Sequence, residues 1–559
     1  MANRTAWLRG AVAAALAIIG APARGDVEPA VLAAEARRVA AIGRAAQAAV
    51  SIFAGSGGGS GVLISPDGYA LTNFHVVQPE GPALKCGLAD GRLSDAVLVG
   101  LDPTGDVALV KLLGRDDFPC AALADSDAVR PGDTCFVAGN PFLLATDLVP
   151  SVSVGIISGV HRYQFPAGTI LEYADCLQVD AAINPGNSGG GLFDAAGRVI
   201  GVVGRASFEK RGRVNVGAGY AISANQLRNF LGGLRGGRLV DHATLGATVA
   251  SDTAGRVVVS DILESSDAWR RGLRYDDEIV SLAGRPVRTV NAFKNVLGTL
   301  PAGWQVPLVF RRDGRRTEAL VRLAPVHAPA ELAELARFPA VSGTAAAPPP
   351  AAIAACYEPR PGFVNHHFNV VERDRVARAL AGRRPGAAAW ELSGTTADGE
   401  RFRIALAADG GTIELPTGTT TVAAGAALDR EPGPPGSGGL LAALVLWHRL
   451  VTTGPAAVGS TSYWGTAPRD AAAWTGSAAA PLVDVLESAV SGVTARCGVT
   501  DEGHVAWIDL WTQPEGEPCE VRFGPPAADG LPTAIEVRHG GATFGRFARD
   551  AGAGQGATP

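Results

Sequence analysis

Positive charge is scarce in this chain. Its 49 Lys and Arg face 54 Asp and Glu, a formal net charge of −5, and no basic stripe interrupts the sequence. That balance argues against a nucleic-acid partner, which needs clustered Lys and Arg. Long apolar runs are missing downstream of the N-terminus, so no later segment reads as a membrane span. Cysteine is sparse, seven in 559 residues, and none stands at metal-ligand spacing. The odd number leaves at least one thiol without a partner in the same chain. Aromatic residues make up 6% and Met occurs once, against 47% hydrophobic residues and 72 Gly, which fits a globular chain. The length calls for several domains rather than one core.

Residues 1–25 are expected to be an export signal. Arg4 and Arg9 form a positive start, residues 11–19 a short apolar run, and Ala21-Pro22-Ala23 a small-residue cleavage site. An uncleaved N-terminal anchor is the competing reading. Export permits disulfides. Cys497 and Cys519, on neighbouring expected strands, are the favoured intradomain pair. The alternative is that every cysteine is a small buried apolar side chain.

What the chain does have is Asp180-Ala181-Ala182-Ile183-Asn184-Pro185-Gly186-Asn187-Ser188-Gly189-Gly190. A serine among small turn-forming residues suits a nucleophile, because glycine lets consecutive backbone N–H groups converge on one spot. Alone, this stretch equally describes a surface turn. Two upstream segments favour chemistry. Leu71-Thr72-Asn73-Phe74-His75-Val76-Val77 offers a base, and Gly105-Asp106-Val107-Ala108-Leu109 a carboxylate to orient it. The order His75, Asp106, Ser188 is that of chymotrypsin.

The region 57–231 resembles the protease domain of the HtrA/DegP family of trypsin-like serine proteases. The resemblance rests on Gly59-Ser60-Gly61-Val62-Leu63-Ile64-Ser65-Pro66-Asp67-Gly68, Thr72-Asn73-Phe74-His75-Val76-Val77, Gly139-Asn140-Pro141-Phe142, the serine stretch and Gly219-Tyr220-Ala221-Ile222-Ser223. It implies His75 as general base, Asp106 as its orienter and Ser188 as nucleophile. It implies an oxyanion hole built from Gly186, Asn187 and Ser188, and two six-stranded antiparallel barrels with the triad between them. It also implies that Ile183 lines the S1 pocket, favouring small aliphatic residues before the cut bond. The alternative is that Ile183 is simply core. Residues 143–149 and 163–171 are expected to be loops around the cleft.

The expected organisation is an N-terminal helix at 26–50 packed on the first barrel, the protease domain at 51–235 and a Gly/Arg-rich hinge at 231–238. The strand pattern Gly255-Arg256-Val257-Val258-Val259, the short helix pattern at 265–273 ending in Gly272-Leu273 and the strand-turn segment Asp276-Asp277-Glu278-Ile279-Val280 to Val287 make the following unit, 239–325, resemble a PDZ domain. PDZ domains hold a peptide C-terminus by strand addition, and Leu245, Gly246 and Ala247 are the expected carboxylate loop. A unit that only packs on the protease is the alternative. Residues 326–355 read as an Ala/Pro-rich linker. Residues 356–551 read as an α+β domain with an antiparallel curved sheet and helices at 438–450 and 481–490. His366 and His367, adjacent on an expected strand, point to opposite faces and so do not share a metal.

The fold expected is therefore mainly β and multidomain: a chymotrypsin-like double β-barrel, a PDZ domain, then the α+β domain. The activity expected is that of an exported, ATP-independent serine endopeptidase acting on unfolded or damaged envelope proteins, with peptide C-termini bound at the PDZ domain. No metal or cofactor is implied. Family members include trimers, and no residue here specifies a homo-oligomer. The alternatives are a latent protease whose other domains act as a binding or holdase protein, and a protease dedicated to one target.

Overall fold

The computed structural model describes residues 27–550 except 55–56, 80, 165–170, 209–214, 339–348, 384, 387, 424, 430–432 and 478–479. The expected export signal and most of the loop at 163–171 lie outside the described residues.

Helix α1 (Pro29–Ala48) opens with Pro in its first turn, where the missing N–H costs nothing. It buries Ala41, Ala45 and Ala48 along one stripe. Arg44 donates to Ala196 O at 3.1 Å, and a Cβ on Gly197 would meet Ala41 O at 2.9 Å. The helix therefore lies on the second barrel as well as the first, because only small side chains allow so close an approach.

The first barrel contains β1 (Ala49–Ala54), β2 (Gly57–Leu63), β3 (Tyr69–Thr72), β4 (Ala83–Leu88), β5 (Leu93–Asp102) and β6 (Val107–Leu112), closed in the order β1-β2-β3-β6-β5-β4. The second contains β7 (Thr134–Gly139), β8 (Ser151–Gln164), β9 (Tyr173–Val179), β10 (Gly191–Asp194), β11 (Val199–Phe208) and β12 (Asn215–Ser223), closed as β10-β11-β12-β9-β8-β7. Closure removes free edges and fills each interior with side chains. One-turn helix α2 (Phe74–Val77) follows β3 and carries His75.

Helix α3 (Ala224–Arg235) runs straight through Gly232 and Gly233, where the sequence suggested a hinge. These glycines admit a neighbouring chain rather than mobility. A Cβ on Gly232 would lie 2.4 Å from Thr466 Oγ1 and 2.6 Å from its backbone N. The connector beyond is also held: Arg238 Nε donates to Tyr463 O at 2.8 Å, and Asn369 Nδ2 to Gly236 O at 2.9 Å.

Residues 243–325 form an antiparallel sheet whose strands run Ala247–Ser251, Val257–Ile262, Glu278–Leu282, Gln305–Arg312, Arg315–Arg322 in spatial order. A short helix, Asp267–Arg270, is capped by Ser266, whose Oγ accepts from Trp269 N. Helix α4 (Val290–Gly298) is capped by Thr289 and packs beside β8 and β9.

The C-terminal region builds one antiparallel sheet of eleven strands. Helix α6 (Leu440–Thr452) is apolar nearly all round and accordingly buried against it. Three expectations are corrected here. Residues 481–490 are not a helix but the strand Leu482–Val490. One face, with Leu486, joins the core around α6, and the other, with Val483 and Val485, packs on the 243–325 unit. A strand apolar on both faces loses its period of two. His366 and His367 open helix α5 (His366–Ala381) instead of lying on a strand, with Asn365 as cap accepting from His367 N. Cys497 and Cys519 do not pair. The strand Val505–Trp511 runs between theirs, so about two strand spacings, roughly 10 Å, separate them.

Candidate active site

Asp106 stands at the entry to β6 with φ 59° and is fully buried. Its carboxylate collects three donors. His75 N donates to Oδ1 at 3.0 Å, His75 Nδ1 lies 2.8 Å from Oδ2 and 3.0 Å from Oδ1, and the Tyr173 hydroxyl donates to Oδ2. Asn73 Nδ2 holds the Asp106 carbonyl at 2.9 Å. With Nδ1–H on the carboxylate, the imidazole presents Nε2 as an acceptor. Burial pulls the His75 pKa down, but the charge and hydrogen bond of Asp106 outweigh it and leave the pKa above the ordinary value.

Behind Asp106 lies a second pair. Buried His242, from the segment entering the 243–325 unit, places Nε2 2.9 Å from Asp102 Oδ2, and Gly105 N donates to Asp102 Oδ1 at 2.8 Å. This pair fixes the turn that delivers Asp106.

Ser188 lies on the segment between β9 and β10. Gly186 has φ 98°, and a Cβ there would sit 2.5 Å from Phe142 N. Gly189 has φ 85° and lies against Ser60 O. The segment is tied to the first barrel through Ser60, whose N donates to Ser188 O at 2.8 Å and whose Oγ donates to Gly186 O at 2.6 Å. Asn187 N turns inward to Asn184 O at 3.0 Å. Among the described residues, the amides of Gly186 and Ser188 have no hydrogen-bond partner. Two unpaired N–H groups flanking a serine can stabilise an oxyanion. Ser60 is a bracing residue that sequence reading passed over, since a serine in a glycine run signals only a turn.

The structure thus joins His75 to Asp106 and packs the serine segment beside them. A Cβ on Gly59 would touch both Val76 and Ser188 O. It forms no hydrogen bond from Ser188 Oγ to His75; such bonds often tighten only around substrate. Ile183 is 3% exposed and sits in the second barrel's core beside Gly219. Leu245 is likewise core, Gly246 has φ 72° against Ser266, and Ala247 begins an edge strand.

A further cluster joins the second barrel to the 243–325 unit. Arg285 donates to both Asp175 oxygens at 3.0 Å, His161 Nδ1 lies 2.8 Å from Asp175 Oδ1, and Asn295 Nδ2 donates to His161 O at 2.7 Å. Burial raises the Asp175 pKa, but His161 and Arg285 more than offset this and hold it below the ordinary carboxylate value. Asp127, His161 and Asp175 converge as a metal site would, yet the Arg285 guanidinium already supplies the cation.

Residues 59–202 match the trypsin-like peptidase domain family. The periplasmic serine endoprotease DegP of Escherichia coli K12 is 35% identical over 277 residues, 47% of this chain and 56% of that protein. A probable periplasmic serine endoprotease, DegP-like, of Chlamydia trachomatis is 33% identical over 279 residues, 48% of this chain and 54% of that protein. The solved structure of the HtrA-type protease AlgW with tripeptide is 31% identical, with 52% of this chain and 98% of that chain covered and a TM-score of 0.44. The chain spans about half the length of the curated relatives it matches.

Proposed function

Because the chain belongs to the HtrA/DegP family of trypsin-like serine proteases, we propose that it is a serine endopeptidase of the periplasm or cell envelope. The observation that carries this reading is buried Asp106 bonded to His75 Nδ1 beside a serine segment with two unpaired amides. Ser188 Oγ attacks the scissile carbonyl while His75 Nε2 takes its proton, and Asp106 stabilises the imidazolium. The N–H groups of Gly186 and Ser188, with Asn187 between them, receive the oxyanion. His75 then protonates the leaving amine, and water repeats the sequence on the acyl-enzyme.

Substrates are unfolded or damaged envelope polypeptides. Small aliphatic residues are favoured at S1, with Ile183 lying behind the pocket wall beside Gly219 rather than exposed in it. Residues 239–325 act as a PDZ domain, with Leu245, Gly246 and Ala247 receiving a peptide carboxylate and the edge strand Ala247–Ser251 pairing with the peptide. A second reading is a latent protease that binds through its other domains.

Degradation of reduced casein by the mature chain and by Ser188→Ala separates the two. Cleavage lost by several orders of magnitude in the variant supports the triad, and the fragment ends test S1. Cleavage unchanged in the variant refutes it. Casein untouched by both, with C-terminal peptides present, supports the latent form.

A further inference from the structure

We propose that Tyr173 is a positioning residue of the triad, its buried hydroxyl holding the Asp106 carboxylate and, through it, the orientation and basicity of His75. The proposal rests on the triad reading above.

A carboxylate that orients an imidazole must itself be kept from turning. The two donors from His75 both approach Asp106 from the first barrel. Tyr173 comes from β9 of the second barrel and donates to Oδ2. It is 2% exposed, so water does not compete for that bond. The approach is built into the fold. Glu172 N donates to Thr104 O at 2.9 Å, pinning the start of β9 to the turn before Asp106. Gly204 of β11 leaves room for the ring, since a Cβ there would lie 2.4 Å from Tyr173 Cε1 and 2.9 Å from its hydroxyl oxygen. Two residues along β9, Asp175 is gripped by Arg285 and Asn295, so the strand is anchored from its far side too.

The chemistry follows from charge. A hydrogen bond donated to a carboxylate disperses its charge and favours its ionised form. Asp106 then holds the imidazolium proton less tightly, which makes His75 a better acid toward the leaving amine. Without the hydroxyl, Asp106 keeps its charge on the histidine side and gains freedom to rotate. The histidine becomes harder to deprotonate and less well aimed.

The test is reaction of the full chain with a fluorophosphonate, which mimics acyl transfer. Ser188 Oγ forms the P–O bond, fluoride leaves, and the serine proton passes to His75. Labelling rate is followed against pH for the parent and Tyr173→Phe, the modified residue is located by mass spectrometry, and thermal melting checks the fold. Tyr173→Phe should label about tenfold more slowly, with the acid limb moved to higher pH. Should Tyr173→Phe melt early, Gly204→Ala, which displaces the hydroxyl without deleting it, must show the same shift. An unchanged rate, or a slower rate with an unmoved limb, overturns the proposal, the latter because loss of packing alone does not change the basicity of His75. A parent chain unlabelled at Ser188 overturns the triad reading instead.

Discussion

His75 carries the sharpest residue-scale expectation. Its folded pKa is raised, the effect of Asp106 exceeding that of burial. A general base works only when neutral, so activity falls as pH drops through a value above the ordinary 6.5 of histidine. The acid limb of kcat/KM for a short peptide substrate should show that midpoint. Gly186 supplies a second test. Its φ of 98° and the 2.5 Å from a Cβ to Phe142 N leave no place for alanine. Gly186→Ala should turn one amide away from the oxyanion and lower kcat by roughly 10²–10³-fold, with KM much less altered. Steady-state kinetics on the same peptide would measure both. The pairing of His75 with Asp106 was legible in the sequence, because few residue types can serve as a base and the carboxylate that orients it. Tyr173 and Ser60 were not, since a tyrosine opening a strand or a serine in a glycine run gives no sign of which carboxylate or carbonyl it will meet.

At the scale of the element, glycine marks the limit of sequence reading. Gly→Ala inside a helix ordinarily stabilises by about 1 kcal/mol. In α3 the sign should reverse, because a Cβ on Gly232 would strike the backbone of Thr466 as well as its side chain. Gly232→Ala is expected to lower the urea midpoint, whereas Gly43→Ala in α1, where nothing lies within 4 Å, should raise it or leave it unchanged. The strand Leu482–Val490 makes the same point. Its pattern misleads because a second unit covers the face that would otherwise be polar.

At the scale of the molecule, the C-terminal sheet and the 243–325 unit share a core and a buried ionic network. Trp304 Nε1 donates to Thr466 O at 2.7 Å, and Arg322 reaches Asp509 Oδ2 at 2.8 Å and Glu520 Oε1 at 3.1 Å. Arg522 completes the group on Asp509, and Gln305 Nε2 donates to Glu520 Oε1 at 2.8 Å. Removing Arg322 leaves Asp509 with Arg522 alone and Glu520 with the neutral Gln305 alone, both still buried. Arg322→Ala should cost about 3 kcal/mol, seen as a lower urea midpoint and earlier protease nicking between these units. If it melts like the parent, the network contributes nothing to holding them together.

The sequence alone determined the order His75, Asp106, Ser188 and, through its resemblance to the HtrA/DegP family, the double barrel, because the segments that carry that resemblance are short runs of turn-forming and chemically irreplaceable residues. Only the tertiary structure decided that the 232–238 segment is clamped, that 482–490 is a strand, that Cys497 and Cys519 stay apart and that Tyr173 reaches Asp106. The clamp, the strand and the Tyr173 contact are set by neighbours distant in sequence or on another unit, and the cysteines by the strand that pairs between them; the residue types alone carry no record of which surfaces will be pressed together.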